Sequence, residues 1–391
     1  MAAIEGHVED GWGKAADAFR RNFDEFDDLG AAVSVYHEGQ VVIDLWGGVA
    51  DSKTGSAWNQ DTIVNIFSTS KGVLALCALM LVDRGQLDLD ARVVDYWPEF
   101  GAEGKDGIPV HWLLSHRSGL PVFDDPPSMT AEEAAAWFPI VRALEAQKPL
   151  WEPGTECMVH GVTMGNLVGE VIRRIAGKTV GQFMATEMSG PLGLSLWCGL
   201  PQEEEHRVTL IVGDKSMEDR LVANFPPDSV ALRALTVNGA WPVSLVTEDG
   251  GGMNSRVVRG GEFPACAMTG DARSLARMYA ASVGEVDGIR LVGSDLVERA
   301  TVNQTAGIPV FGGRGGPADQ HPLGLGFLLS SPMMPGVGPR SFGDPGAGGS
   351  VAFGDIDASI GFAYVMNKMM GYMDGDPRAP GLMKAVREIL G

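Results

Sequence analysis

The chain has 391 residues, of which 45% are hydrophobic and 20% are charged, a composition typical of a soluble globular protein with a large core. Its 50 acidic and 30 basic residues give a formal net charge of -20, which argues against nucleic acid or an anionic membrane surface as a partner. The length suits two or three domains or one elaborated domain.

The N-terminus and the cysteines indicate a compartment. The first ten residues contain neither a basic region nor an apolar segment, so the sequence predicts no signal peptide. No apolar run approaches the length that spans a bilayer. The four cysteines are scattered without paired spacing, which is typical of reduced thiols. We therefore expect a cytoplasmic protein without membrane contact.

The first elements of the chain are predicted to be a helix and a hairpin. Residues 8–27 carry apolar side chains at helical spacing among charged ones, which predicts an amphipathic surface helix. Segments 31–36 and 40–46 are short β-rich runs on either side of His37-Glu38-Gly39. This pattern favours a hairpin and therefore an antiparallel sheet.

The middle third is predicted to be mainly helical. An apolar run at 73–82 predicts a buried helix with Gly85 as its C-terminal stop. The alanine-rich segment 129–147 and the amphipathic segment 167–175 predict two further helices. From about 200 to 265, turn residues mark a long irregular segment, and such loops inside a compact protein are usually lids or pocket walls.

The last third mixes helices and strands. A helix is predicted at 272–283, a glycine-rich break at 311–321, strands at 323–329, 351–353 and 360–367, and a closing helix at 380–390. Strands at both ends with helices between them predict an α/β (α+β) fold. Residues 1–95 and 265–391 would form an antiparallel sheet flanked by helices. Residues 96–264 would form an inserted helical domain, with a pocket-lining loop at about 200–264.

The chemistry is predicted near Ser68, which begins the buried helix, with Lys71 one turn later on the same face. A lysine in a dry pocket can be neutral enough to take a serine proton, and first-turn N–H groups can hold an oxyanion. The structural alternative makes Ser68 a helix cap and Lys71 a solvated side chain. A Ser-x-x-Lys spacing arises roughly once by chance in such a chain. However, Lys71 begins a run without another charge until Asp83, which favours a buried position.

A second stretch of interest is the glycine-rich segment 343–350, which precedes a predicted strand. Its glycines permit close approach of the backbone to a ligand. The alternative is a plain turn between two strands.

Together these stretches resemble the serine β-lactamase-like esterases, or family VIII carboxylesterases, relatives of class C β-lactamases and penicillin-binding proteins. Ser68-Thr69-Ser70-Lys71 is similar to the family's Ser-x-x-Lys motif. The other similar segments follow in the family's order: 112–120 for the Leu-Leu-Ser/Thr-His segment, 151–155 and 167–172 around the second motif, and 342–353 for the third.

The resemblance implies a β-lactamase/transpeptidase-like fold with the active site between an α/β domain and a helical domain. It implies a covalent acyl intermediate on Ser68, with Lys71 as the activating partner. By position, the backbone N–H groups of Ser68 and Ala347 would form the oxyanion hole. It implies a small-molecule ester as substrate, and neither a metal nor an organic cofactor.

Two positions depart from the family pattern. Val159 stands where the second motif carries a tyrosine that shares proton transfer with the lysine. Asp344 stands where similar esterases carry the histidine of His-Pro-Gly. His160 is a possible substitute for the tyrosine, although the family pattern already expects a histidine there. Val159, His160, Asp344 and Gly346 are therefore candidate contacts for the substrate or an acceptor.

Three functions follow from these residues. The first is an esterase-type hydrolase acting on a small carboxylic ester. The second is an acyltransferase that passes the acyl group to an amine or alcohol, including an amide-forming transacylase in a biosynthetic pathway, because a missing base would prolong the acyl intermediate. Asp344 would then hold a cationic acceptor by charge pairing. The third is a pseudoenzyme that binds ligands without turnover.

Overall fold

The computed structural model describes residues 2–313, 322–371 and 376–391. The strands are, in chain order, β1 (Ile4–Val8), β2 (Gly30–His37), β3 (Gln40–Asp51), β4 (Ser56–Ala57), β5 (Val64–Asn65), β6 (Leu196–Trp197), β7 (Thr269–Gly270), β8 (Leu328–Leu329), β9 (Ser341–Pro345), β10 (Val351–Asp355) and β11 (Ile360–Met366).

The α-helices are α1 (Gly13–Glu25), α2 (Ser70–Asp83), α3 (Val110–Leu114), α4 (Ala131–Ala135), α5 (Phe138–Ala146), α6 (Thr163–Ala176), α7 (Val180–Met184), α8 (Gly190–Leu192), α9 (Lys215–Asn224), α10 (Val230–Thr236), α11 (Arg256–Gly260), α12 (Ala272–Val283), α13 (Ser294–Ala300) and α14 (Arg378–Leu390). Short 3-10 helices include Phe67–Thr69, Val93–Asp95, Pro98–Gly104, Gln202–Arg207 and Ala347–Gly349.

The main sheet joins strands from both ends of the chain. Its order is β1-β3-β2-β11-β10-β9-β8, with β4 paired to β3, and these pairings are antiparallel. The predicted hairpin is the β2–β3 pair, which turns at Glu38 and Gly39, both with positive φ. The N-terminal β2 pairs with the C-terminal β11 at the centre of the sheet. The predicted antiparallel sheet flanked by helices is therefore confirmed.

Each face of the sheet is covered by helices. On one face, α1 and α14 pack together over a cluster that includes Phe19, Val35 and Val386. On the other face, α12 packs against β2, β10 and β11. Because both faces are covered, all seven residues of β11 are buried, and the strand is a continuous apolar run with one buried tyrosine.

Helix α2 lies inside the molecule, as its apolar sequence predicts. Residues 70–81 are buried, so the helix is enclosed around its whole circumference. It packs against α6 and α7 on one side and β9 on another. Gly85 follows the helix with a φ of 67°, which confirms it as the C-terminal stop.

Several sequence predictions need correction. The single helix predicted at 129–147 is two helices, α4 and α5, separated by Trp137 with a φ of 65°. Pro139 explains the break, because a proline inside a continuous helix would clash with the preceding turn. The segment at 200–264 contains α9, α10 and α11 rather than being irregular throughout.

Other differences concern strands. Residues 4–8, partly assigned to the first helix, form the edge strand β1, whose central residues are exposed and give little apolar signal. The strand predicted at 323–329 is limited to Leu328–Leu329. Most of the predicted glycine-rich break at 311–321 lies outside the described residues. The division into domains at residues 95/96 and 264/265 stays a prediction.

Two features of the described residues bear on membranes and metals as partners. No described helix combines the length and apolar character needed to cross a membrane. Across residues 2–313, 322–371 and 376–391, no group of three or more His, Cys, Asp or Glu side chains is arranged to hold a metal ion.

Candidate active site

Lys71 and Ser68 are in direct contact at the start of α2. The Lys71 side chain is 1% exposed, and its Nζ lies 3.0 Å from Ser68 Oγ. Nζ also donates to the carbonyl oxygens of Gly161 and Ala265, each at 3.0 Å. A neutral amine has two N–H groups and one lone pair. With both N–H groups bound to the carbonyls, the lone pair faces Ser68 Oγ, the direction that a base for this hydroxyl requires.

The surroundings of Lys71 favour its neutral form. Burial lowers the pKa of Lys71 from its ordinary value of 10.5, and the Asp344 carboxyl and the Cys266 thiol oppose this with smaller effects that raise it. No described carboxylate lies within ion-pair distance of the amine, so no ion pair offsets the desolvation of the ammonium form. The predicted buried position of Lys71 is confirmed.

Ser68 sits on a turn that exposes it between buried neighbours. It is half-buried, whereas Phe67 and Thr69 on either side are buried. Phe67 has a φ of 48°, and its N–H donates to Asn65 Oδ1 at 2.8 Å, which holds this unusual conformation. Ser70, the other serine of the motif, donates through Oγ to the Phe67 carbonyl and accepts from the Met268 N–H. Ser68 therefore has the accessible hydroxyl, and Ser70 braces the turn.

The segment before β10 is pinned against this turn. The Thr69 hydroxyl donates to the Asp344 carbonyl oxygen at 3.2 Å, and the Ser350 hydroxyl donates to the Ile66 carbonyl oxygen at 3.1 Å. A Cβ on Gly346 would lie 2.2 Å from Ser350 Oγ and 2.6 Å from the Ile66 oxygen, so this approach requires glycine. The segment 343–350 therefore begins with the end of strand β9 and then brings its backbone close to the turn that carries Ser68.

The backbone N–H groups of Ser68 and Ala347 lie in the first turns of two short helices. Ser68 lies in the first turn of the 3-10 helix Phe67–Thr69, and Ala347 begins the 3-10 helix Ala347–Gly349. N–H groups in a first turn have no acceptor within their own helix. The contacts of Thr69 and Ser350 hold these two turns together. We therefore propose that the N–H groups of Ser68 and Ala347 form an oxyanion hole.

His160 supports the site from behind. Its ring is fully buried, Nε2 accepts from the Leu120 N–H at 3.2 Å, and Nδ1 lies 2.6 Å from the Met158 carbonyl oxygen, to which it donates. Burial lowers the pKa of His160 to about 4, so the ring is neutral. Both ring nitrogens are engaged, and the residue precedes Gly161, whose carbonyl orients Lys71. We therefore expect His160 to support the position of Lys71 and not to contact the substrate.

Val159 and Asp344 occupy different surroundings. Val159 is 41% exposed, and its side chain can neither donate nor accept a proton. Asp344 is half-buried on β9. Burial raises the pKa of Asp344 to about 7, and the charge of Lys71 opposes this rise. Asp344 therefore interacts electrostatically with Lys71.

Tyr279 is a residue that sequence reasoning missed. It belongs to α12, far from the second motif in sequence, and its side chain is fully buried. A Cβ built on Gly72 would lie 1.9 Å from the Tyr279 hydroxyl, so this hydroxyl abuts the helix that carries Lys71. Burial raises the pKa of Tyr279 well above its ordinary value, and the charge of Asp344 adds to the rise. The signal available in the sequence was glycine at position 72 inside a helix, which often marks close packing.

The segment predicted to line a pocket does border a cavity of about 1090 Å³. Residues 206–218 and 244–254 form much of its wall, together with residues near β3 and β4. Ser68 and Lys71 are not among its lining residues. We therefore expect the substrate to bind beside Ser68 rather than in this cavity.

Comparison with known proteins gives consistent matches over most of the chain. Residues 19–387 match the family model described as Beta-lactamase. The chain is 31% identical over 353 residues to the esterase/beta-lactamase LipL of Mycobacterium tuberculosis (strain ATCC 25618 / H37Rv), covering 87% of this chain and 77% of that protein.

Two solved structures are similar along their full length. A family VIII carboxylesterase has a TM-score of 0.86 at 32% identity, covering 99% of this chain and 100% of the other. A penicillin-binding protein homologue from Caulobacter crescentus has a TM-score of 0.85 at 33% identity, with the same coverage of 99% and 100%. The predicted β-lactamase/transpeptidase-like fold is confirmed.

Proposed function

The chain belongs to the beta-lactamase family, and from this premise we propose that it is a serine esterase that hydrolyses a small carboxylic ester. Its relatives confirm the resemblance to family VIII carboxylesterases and the prediction of a serine hydrolase of the β-lactamase type. The observation that supports the finer proposal is the 3.0 Å contact between Lys71 Nζ and Ser68 Oγ. A buried amine aimed at an accessible hydroxyl has the geometry of a base and its nucleophile.

In the first half-reaction, the neutral Lys71 amine accepts the proton of Ser68 while Oγ bonds to the carbonyl carbon of the ester. The N–H groups of Ser68 and Ala347 are proposed to stabilise the negative charge on the carbonyl oxygen. The bond to the alcohol then breaks, and the Lys71 ammonium gives its proton to the departing oxygen. An acyl group on Ser68 and a free alcohol result.

In the second half-reaction, water must attack the acyl group, and a positioned base for that water typically contributes about 10²–10⁴-fold. Position 159 carries a valine, which supplies no base. We therefore expect removal of the acyl group to be slower than its formation, so that the acyl intermediate accumulates.

The test is covalent labelling followed by mass spectrometry of the intact protein and its peptides. With p-nitrophenyl butyrate or a phosphonate, the wild type should gain one adduct on the peptide that contains Ser68. Ser68→Ala should remain unlabelled, and Ser52→Ala, in an exposed turn, should label like the wild type. A wild type without an adduct, as a ligand-binding pseudoenzyme predicts, or labelling of Ser68→Ala, would refute the proposal.

Acyl transfer to an amine or alcohol is the second candidate function. The observation in its favour is Val159, because a slowly hydrolysed acyl intermediate gives a more nucleophilic acceptor time to attack. Product analysis with increasing n-butylamine tests this idea. An amide that grows at the expense of the acid would support transfer, and an unchanged acid yield would reject it.

A further inference from the structure

The side chain of Asp344 points into the interior beside α2. Residues 342 and 344 lie on the same face of β9, because side chains alternate along a strand. The Phe342 ring packs against the rings of Tyr279 and Phe327, with centroids 6.0 Å and 5.0 Å away. A Cβ on Gly72 of α2 would meet these same two residues. Asp344 therefore faces the space between β9, α12 and α2.

The backbone of Asp344 also lies close to Ser68. Its carbonyl oxygen accepts from the hydroxyl of Thr69, the residue that follows Ser68. The amine of Lys71 acts electrostatically on the Asp344 carboxyl, although the two are not within ion-pair distance. The Asp344 carboxyl therefore lies near Ser68 and Lys71, but it is farther from the Lys71 amine than an ion pair allows.

Two polar groups near Lys71 have no hydrogen-bond partner in the part of the chain that the structure describes. Among the described residues, the Asp344 carboxyl has no hydrogen-bond or ion-pair partner. The Tyr279 hydroxyl, fully buried, likewise has none within the described part of the chain. Most buried polar groups in proteins are hydrogen-bonded, so two unpaired groups beside one nucleophile indicate space for water or substrate.

We propose that Asp344 is the base that accepts the proton of the attacking water, the role for which position 159 offers no side chain. This inference rests on the proposed esterase function. The water oxygen bonds to the carbonyl carbon of the acyl group, and the Asp344 carboxylate takes one water proton. The bond from that carbon to Ser68 Oγ breaks, the carboxylic acid leaves, and the proton passes from Asp344 to Ser68 Oγ.

The charged surroundings give this step a pH dependence. Lys71 faces Asp344 from α2, and Tyr279 faces it from α12. Lys71 in turn is near the Cys266 thiol and the neutral His160 ring. The pKa of Asp344 is raised to about 7, so its ionised, basic form increases as the pH rises through that value. The hydrolysis rate should rise over the same range.

The experiment separates the two half-reactions by stopped-flow release of p-nitrophenol from p-nitrophenyl butyrate. The initial burst reports acylation, and the steady state reports hydrolysis of the acyl group. Asp344→Asn, which keeps the side-chain shape, should keep the burst rate within about threefold. Its steady-state rate should fall by about 10²–10⁴-fold and lose the rise near pH 7. Asp10→Asn, an exposed control, should match the wild type.

A second variant guards against a folding defect. Asp344→His supplies another proton acceptor and should recover at least about tenfold of the steady-state rate lost in Asp344→Asn. Recovery with a melting temperature equal to that of Asp344→Asn supports the base assignment, and equal rates in the two variants overturn it.

Other outcomes overturn the assignment in different ways. An unchanged steady-state rate and pH profile in Asp344→Asn would refute it, as would equal loss of burst and steady state. A rise in the KM for n-butylamine alone would show that Asp344 binds a cationic acceptor instead. A wild type that neither releases p-nitrophenol nor gains an adduct on Ser68 would refute the esterase proposal itself, which keeps the two failures distinguishable.

Discussion

Replacing Lys71 with alanine is expected to stop acylation of Ser68. The amine nitrogen is 3.0 Å from Ser68 Oγ, and its orientation is fixed by two carbonyl oxygens. A positioned base contributes about 10²–10⁴-fold, or roughly 3–5 kcal/mol of barrier at about 1.36 kcal/mol per tenfold. We expect the acylation rate to fall by at least about a hundredfold.

The same substitution should leave the fold in place. It removes the donor to the Gly161 and Ala265 carbonyls, and each unsatisfied buried acceptor costs about 1–3 kcal/mol. Against this, it removes an amine whose pKa is lowered by burial, and it introduces alanine, the best helix former, into α2. Because these effects oppose each other, we expect the free energy of unfolding to fall by no more than about 4 kcal/mol.

The assay is the burst of p-nitrophenol from p-nitrophenyl butyrate, followed across pH. The wild-type acylation rate should rise with pH through a midpoint below the ordinary lysine value of 10.5, since the amine must be neutral to act. Lys71→Met keeps the apolar stem and should lose the same activity, and Lys14→Ala, at an exposed position, should lose none. A burst in Lys71→Ala within threefold of the wild type would show that another base operates and would refute this reasoning.

Three further outcomes are expected. Val159→Tyr should raise steady-state hydrolysis of p-nitrophenyl butyrate by about tenfold or more, because it adds a proton-transfer group, and Val159→Phe should not. Gly346→Ala should lower kcat/KM by at least about tenfold, because its Cβ would strike the Ile66 carbonyl beside the oxyanion segment, whereas Gly107→Ala, in open space, should be neutral. Arg378→Met should lower the free energy of unfolding in urea by about 3–5 kcal/mol, because it strands the buried Asp28, and Arg340→Met, from an exposed pair, should cost less than about 1 kcal/mol.

The sequence predicted those elements whose apolar pattern is dictated by burial. Helix α2 is enclosed on all sides and the β2–β3 hairpin carries a turn that requires positive φ, so both were visible locally. The break at Trp137 was overlooked because the alanine-rich composition masked the effect of Pro139. The glycine-rich residues of β9 predict a turn or a close backbone approach rather than a strand, since the pairing of β9 with β10 and β8 comes from the sheet and not from its own residues.

The candidate site was predictable to the extent that it is local. Ser68 and Lys71 are three residues apart on one helical turn, so their contact follows from helix geometry. The partners of Lys71 at Gly161 and Ala265 are 90 and 194 residues away. The placement of Tyr279 beside Gly72 likewise arises only when α12 packs against α2. Such meetings depend on tertiary packing, which no spacing in a single sequence encodes.

The oxyanion segment is held by residues from both ends of the chain. Arg378, the first residue of α14, donates to the Gly348 carbonyl at 2.8 Å and to Asp28 Oδ1 at 2.9 Å. The side chains of Arg378 and Asp28 are fully buried, so moving Gly348 away would leave a buried guanidinium donor unpaired. Because Gly348 directly follows Ala347, this cluster fixes the N–H group that we propose as an oxyanion donor. We therefore expect the proposed oxyanion stabilisation to depend on the same buried ion pair that ties the N-terminal and C-terminal parts of the chain together.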